Sequence, residues 1–158
     1  MTTPEIDIRA MTIQDYEGVF ALWEHIGGFA LRSVDDSREG IERFLARNPT
    51  TSIVAVAGEH IVGSVLCGHD GRQASFYHVC VRRDFRKHGV GQRMVRAALR
   101  AVAAEGVSKV TLVAFDSNKG GNAFWEHIGW TPRSDLNVYE FKLNPENIIR
   151  FVDEETAG

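Results

Sequence analysis

The stretch that most limits how this chain can fold runs from Val79 to Arg100, VCVRRDFRKHGVGQRMVRAALR. It reads as a β-branched strand, a basic turn with two glycines, and an amphipathic helix. That order builds an anion site from the backbone itself. The first N–H groups of a helix have no partner inside it, and the aligned peptide dipoles add partial positive charge there. Phosphate is the usual guest at such an end. Here Arg82, Arg83, Arg86 and Lys87 add formal charge. Gly89 and Gly91 permit close approach of a ligand to the backbone and tolerate positive φ.

The rest of the chain is arranged to support that unit. Glu5 to Ala10 alternates apolar and polar and predicts a first strand. Thr12 precedes a helix carrying Tyr16, Val19, Phe20, Trp23 and Ile26 at helical spacing, ended by Gly27-Gly28. A loop is expected over FALRSVDD (Phe29 to Asp36), and Ser37 then caps a helix from Arg38 to Arg47. Ser52–Ala57, Ile61–Cys67 and Ala74–Val81 predict a three-strand meander, with turns at Gly58–His60 and Gly68–Arg72. The helix from about Gly89 to Glu105 carries Val90, Met94, Ala98 and Val102 on one stripe and spans about 25 Å. Arg93, Arg96 and Arg100 form its solvated face. Val110–Ala114 predicts a strand parallel to the one before the helix. A polar loop, Asp116–Gly121, leads to a short helix, Asn122–Ile128. Trp130–Arg133 and Val138–Leu143 are expected to close the chain as a hairpin.

Length and charge narrow the class. The 158 residues suit one domain (1–158, with a core over 5–143 and a tail over 144–158). The net charge of -3 speaks against a nucleic-acid partner, so the local basic run points to a small anion. Cys67 and Cys80 lie inside apolar strands and are read as reduced core thiols. The first residues, MTTPEIDIRAM, lack the cationic and apolar regions of a secretory leader. No apolar run approaches the ~20 residues of a membrane helix. A cytoplasmic location and no membrane partner are expected. The six histidines show no His-x-x-x-His spacing, so no metal is expected. A dinucleotide-binding fingerprint fails, because Met94 stands where its third glycine belongs and a meander precedes it.

RKHGVG (Arg86 to Gly91) resembles the Gln/Arg-x-x-Gly-x-Gly/Ala signature of the GNAT superfamily of acyl-CoA N-acyltransferases. The likeness extends from Glu5 to Leu143 and includes the ending FWEHIGW (Phe124 to Trp130). It implies an α/β fold with a mixed, mostly antiparallel central sheet of six to seven strands and about four helices. It also implies acetyl-CoA as co-substrate and an amine acceptor, small molecule or protein. Val79, Cys80 and Val81 match the strand that holds the pantetheine arm. Arg86, Lys87, His88, Gly89, Val90, Gly91 and Gln92 match the turn around the pyrophosphate, and Asn118 and Trp125 match cofactor-side positions. Trp23, Phe29 and Arg32 match the region that shapes the acceptor site. A homodimer through the C-terminal strands is expected by the same analogy.

Two departures bear on catalysis. Many members carry Tyr where this chain has Trp125, and indole has no proton to transfer near neutral pH. Several members place a Glu base where Gln73 to His78 has no carboxylate. His78 is then the candidate general base, because imidazole titrates near neutrality. Tyr77 is the alternative proton donor. If the strand alternates, the two face opposite ways. An alternative to the enzyme is an acyl-CoA-binding sensor without chemistry.

Overall fold

The computed structural model describes residues 5–152. Residues 1–4 and 153–158, which include part of the N-terminal stretch read for a leader and the end of the tail, lie outside the described residues.

A five-stranded sheet forms the centre. β1 (Ile6–Ala10), β3 (Ile53–Ala57), β4 (His60–His69) and β5 (Ala74–Val81) pair antiparallel in that spatial order. β6 (Val110–Leu112) joins β5 in parallel. α3 (Val90–Ala104) makes the crossover, as a parallel neighbour requires. Its stripe of Val90, Met94, Val95, Ala98 and Val102 is buried against one face, on Ala55, Val62, Val65 and Phe76. α1 (Tyr16–His25) and α2 (Arg38–Arg47) cover the other face through Val19, Leu22, Trp23, Ile41 and Leu45. α4 (Lys119–His127) packs on the α3 side with Phe124 and Trp125. No helix among the described residues is long and apolar enough to cross a membrane.

The entry into α1 is held by charge. Asp15 receives both terminal nitrogens of Arg9 at 2.8 and 2.9 Å and the Thr12 N–H at 2.8 Å. The Arg9 hydrogen bond holds the Asp15 carboxyl below its usual range, against the opposing pull of burial. A carboxyl depressed in the fold stabilises it above its unfolded pKa and loses that contribution as pH falls through the folded one. Asp15→Asn should therefore cost about 1 kcal/mol at neutral pH, a modest figure because Arg9 meets water. Urea midpoints measured from pH 6 to pH 3 should show the wild type and variant converging in acid.

The structure corrects the expected fold in three places. Phe29–Arg32, expected as loop, is a strand, β2. It pairs antiparallel with β7 (Ile149–Val152), from the tail, in a second, two-stranded sheet. Ala30, Leu31 and Val152 are buried by this pairing, which explains why a tail segment is drawn to it. The expected hairpin of Trp130–Arg133 with Val138–Leu143 does not form, and Val138–Leu143 stands outside both sheets. The central sheet accordingly has five strands, fewer than the six to seven expected, with seven strands in all among the described residues.

Candidate active site

Two irregularities of β5 create the site. The first is its parting from β6. The parallel pairs are Ala74–Val110, Ser75–Thr111 and Phe76–Leu112, and β6 then ends. β5 continues to Val81, so on that side residues 77–81 have no strand neighbour among the described residues. Backbone groups there are open to an extended ligand that adds along the strand. Phe76, the last paired residue, sits over Trp130 and Trp125 at ring distances of 5.3 and 6.3 Å, so an aromatic floor lies at the parting.

The second irregularity is a β-bulge. Ser64 pairs with Cys80 and Leu66 with Tyr77, so His78 and Val79 together oppose Val65. His78 takes a left-handed backbone with φ of 48°, uncommon for a non-glycine residue. One extra residue reverses the alternation. Tyr77 packs edge-on against Phe44 of α2 at 6.1 Å, and His78 packs on Trp23 of α1 at 4.7 Å. Both side chains therefore face α1 and α2, and the expectation that they point to opposite faces is corrected.

His78 is held at every point but one. Its Nε2 lies 2.8 Å from Oδ1 of Asp36, and both side chains are nearly buried. The other Asp36 oxygen accepts the Arg32 N–H at 2.7 Å, and the Asp36 carbonyl accepts the Tyr16 hydroxyl at 2.7 Å. The His78 carbonyl accepts the Ser64 hydroxyl at 2.7 Å, while Ser64 Oγ accepts the Trp23 indole N–H at 3.0 Å. Phe29 covers the imidazole at 4.9 Å. Among the described residues Nδ1 has no hydrogen-bond partner, and no buried side-chain nitrogen or oxygen is left without one, so Nδ1 opens to solvent. With a carboxylate accepting from Nε2–H, the lone pair sits on Nδ1. This is the tautomer a base needs.

Asp36 is the candidate site residue that sequence reasoning missed. In the sequence it is the second of two aspartates before the Ser37 cap, and nothing there separates it from a solvated turn residue. Trp23 is corrected as well. It is fully buried, so it supports the site from beneath and does not line it. Phe29 does border His78. Arg32 is half-buried in β2 and walls a cleft of about 340 Å³ with Asp35, Phe141 and Asn147.

The basic turn follows β5 directly. A 3₁₀ turn over Arg83–Phe85 leads to Lys87 and Gly89, both left-handed with φ of 67° and 77°. Arg86 Nε donates to the Val81 carbonyl at 3.0 Å, tying the turn to the strand. Among the described residues no side chain caps α3, and its first turn holds no acidic residue, so the N-terminal N–H groups stay available to a ligand. Lys87, His88, Gly89 and Gln92 are exposed around that end, whereas Val90 is buried beneath it. Gly91 has a packing role too, since a Cβ there would come within 3.3 Å of the Phe124 ring. On the α1 side a second cleft, of about 490 Å³, is lined by His25, His60, Arg82, Arg83 and Arg86 with Glu59.

Asn118 caps α4 by accepting the Gly121 N–H at 3.0 Å and donates to the Gly28 carbonyl at 3.2 Å. It thereby ties α4 to the turn before β2. Cys80 is buried with Sγ 3.5 Å from Ser64 Oγ, and burial pushes its thiol up to about 11. A thiol so protonated is no nucleophile at neutral pH.

A bulged strand that parts from its parallel neighbour and runs into an uncapped basic helix end suits an extended ligand that ends in an anionic group. The Acetyltransferase (GNAT) family matches residues 16–130, and the chain belongs to this family and is an acyltransferase. "Acetyltransferase YE1169" of Yersinia enterocolitica is 31% identical over 131 residues, 83% of this chain and 92% of that protein. "Acetyltransferase ECA0875" of Pectobacterium atrosepticum is 32% identical over 123 residues, 78% and 86% of the two chains. The fold matches aminoglycoside N-acetyltransferase AAC(6')-Iy in complex with CoA, with a TM-score of 0.68, 14% identity, and coverage of 89% and 97%. It also matches the PaiA N-acetyltransferase of Thermoplasma acidophilum in complex with coenzyme A, with a TM-score of 0.67, 14% identity, and coverage of 92% and 96%.

Proposed function

We propose that the chain transfers the acetyl group of acetyl-CoA to a primary amine, directly and within a ternary complex. The observation that carries this reading is the continuity of the open β5 edge with the uncapped N-terminus of α3. An extended pantetheine arm suits the backbone of Val79, Cys80 and Val81, with Trp125 packed on Phe76 at the parting and Asn118 at the N-terminus of α4. The pyrophosphate suits Arg86 to Gln92, where N–H donors and cations converge.

The amine approaches from the α1 and α2 side, past Phe29 and Tyr77. Its nitrogen attacks the thioester carbon, its proton passes to Nδ1 of His78, and the C–S bond breaks to release CoA as thiol. Asp36 is a positioning residue that fixes the imidazole tautomer and stabilises the imidazolium that forms. Tyr77, on the same face, is the candidate donor toward the departing sulfur. Arg32 stands where an acceptor carboxylate could be held.

The test is a panel of small amines and peptide N-termini with acetyl-CoA, read by thiol release. Release dependent on an added amine supports the enzyme. Tight CoA binding without release across the panel establishes the sensor alternative.

A further inference from the structure

The aromatic run FWEHIGW (Phe124 to Trp130) floors the point where β5 and β6 part. Gly129 is left-handed with φ of 96°, and the Trp130 N–H donates to the Trp125 carbonyl at 2.9 Å. That turn brings Trp130 back onto Trp125 at a ring distance of 4.8 Å. Phe76 lies against both indoles and is only 3% exposed. Leu112, its partner in the last pair of the ladder, packs into the same apolar cluster. The ladder behind this pair is fixed. The Ala74 N–H donates to the Lys109 carbonyl at 3.0 Å, and Gln73 Nε2 donates to the Thr111 hydroxyl at 3.1 Å. The parting is therefore a blind end, closed along the strand by Phe76 and Leu112 and on the α3 side by two indoles.

A thioester lying at this end has its directions set by the groups around it. The sulfur leads to the arm along Val79 to Val81, beyond the bulge. His78 stands on the α1 and α2 side, so the amine meets the flat thioester from that face. The carbonyl oxygen turns to the β5 edge, whose backbone has no strand neighbour there among the described residues. The acyl substituent takes the direction that is left, back along β5 toward the Phe76–Leu112 pair. On the acyl-transfer reading, we propose that Phe76, Leu112, Trp125 and Trp130 set the length of the transferred acyl group, admitting acetyl and turning away longer chains. A closely packed interior takes an extra methylene only by displacing side chains. Here the groups to be displaced are a phenyl ring and two indoles that pack on one another. An acetyl methyl reaches this floor, and each further carbon runs into it.

The test compares acetyl-CoA, propionyl-CoA and butyryl-CoA on the full chain, with the amine that releases thiol fastest from acetyl-CoA. In the wild type kcat/KM should fall at least about tenfold from acetyl to propionyl, and further to butyryl. Leu112→Ala shortens a half-buried side chain at the closing pair and should narrow the acetyl-to-propionyl ratio about tenfold. Trp130→Leu opens the same space from the α3 side and should narrow the acetyl-to-butyryl ratio by a similar factor. A fold merely weakened lowers all three substrates together and leaves the ratios where they were, so the ratios report the pocket alone. Equal kcat/KM for the three acyl-CoAs in the wild type, or ratios unmoved in both variants, overturns the proposal. If no amine releases thiol, calorimetry with CoA and the three acyl-CoAs reads the pocket without the reaction. Weaker binding of the longer acyl-CoAs, relieved in the variants, then upholds the length limit although transfer fails. Equal affinities overturn it.

Discussion

Gly89→Val should weaken CoA binding at least about a hundredfold while leaving the fold intact. Gly89 adopts φ of 77° at the N-terminus of α3, and a Cβ there meets no atom within 4 Å. The substitution is therefore innocent sterically and adverse conformationally. A β-branched residue in the left-handed region costs about 1–2 kcal/mol. The turn can relieve that strain only by rotating, and rotation takes the N–H groups of Val90 to Gln92 away from the phosphate. Each charge-assisted hydrogen bond lost contributes about 1.5–3 kcal/mol. Titration calorimetry with CoA measures the affinity, and a thermal melt reports the fold. Unchanged affinity would falsify the pyrophosphate assignment. Gly91→Val is a poorer probe, because its side chain collides with Phe124 and disturbs the packing of α3 on α4 as well.

The second large effect falls on turnover. Asp36→Asn should lower kcat about 10²- to 10³-fold with little change in CoA affinity. Asp36 is nearly buried and meets Nε2 of His78 at 2.8 Å. A carboxylate there accepts Nε2–H and leaves the lone pair on Nδ1. An amide turned to donate to Nε2 moves the proton to Nδ1 and removes that lone pair from the acceptor side. His78→Ala should show a loss of similar size, but it also empties space between Trp23 and Phe29, so the aspartate variant is the cleaner test. An unaltered kcat in Asp36→Asn removes the dyad from the mechanism.

The two halves of the site differ in how far they can be read from the chain. The proposed cofactor half is legible because it is contiguous: Val79 to Gln92 is one strand, one turn and one helix start, and the donors it would offer are backbone groups whose direction follows from the local conformation. The meander, Ser37 as a cap and the apolar stripe of α3 were readable for the same reason. β2 was not readable, because FALR is too short to declare itself and its partner, Ile149–Val152, lies more than a hundred residues away. The closing hairpin was a fair reading of VYEFKL as a strand pattern, but alternation names no partner.

The sequence by itself determined the family, the layered α/β plan and the basic glycine turn, all of which rest on local periodicity, glycine and charge. Only the tertiary structure decided the arrangement of the proposed catalytic half. A single extra residue in β5 turns His78 to the face that Tyr77 already occupies, and nothing in the β-propensity of ASFYHVCV marks where that residue is inserted. Once turned, His78 meets an aspartate 42 positions upstream, and its carbonyl is pinned through Ser64 by a tryptophan in α1. Those contacts arise from the packing of α1 and β2 against the bulge, which fixes distances that no spacing along the chain encodes.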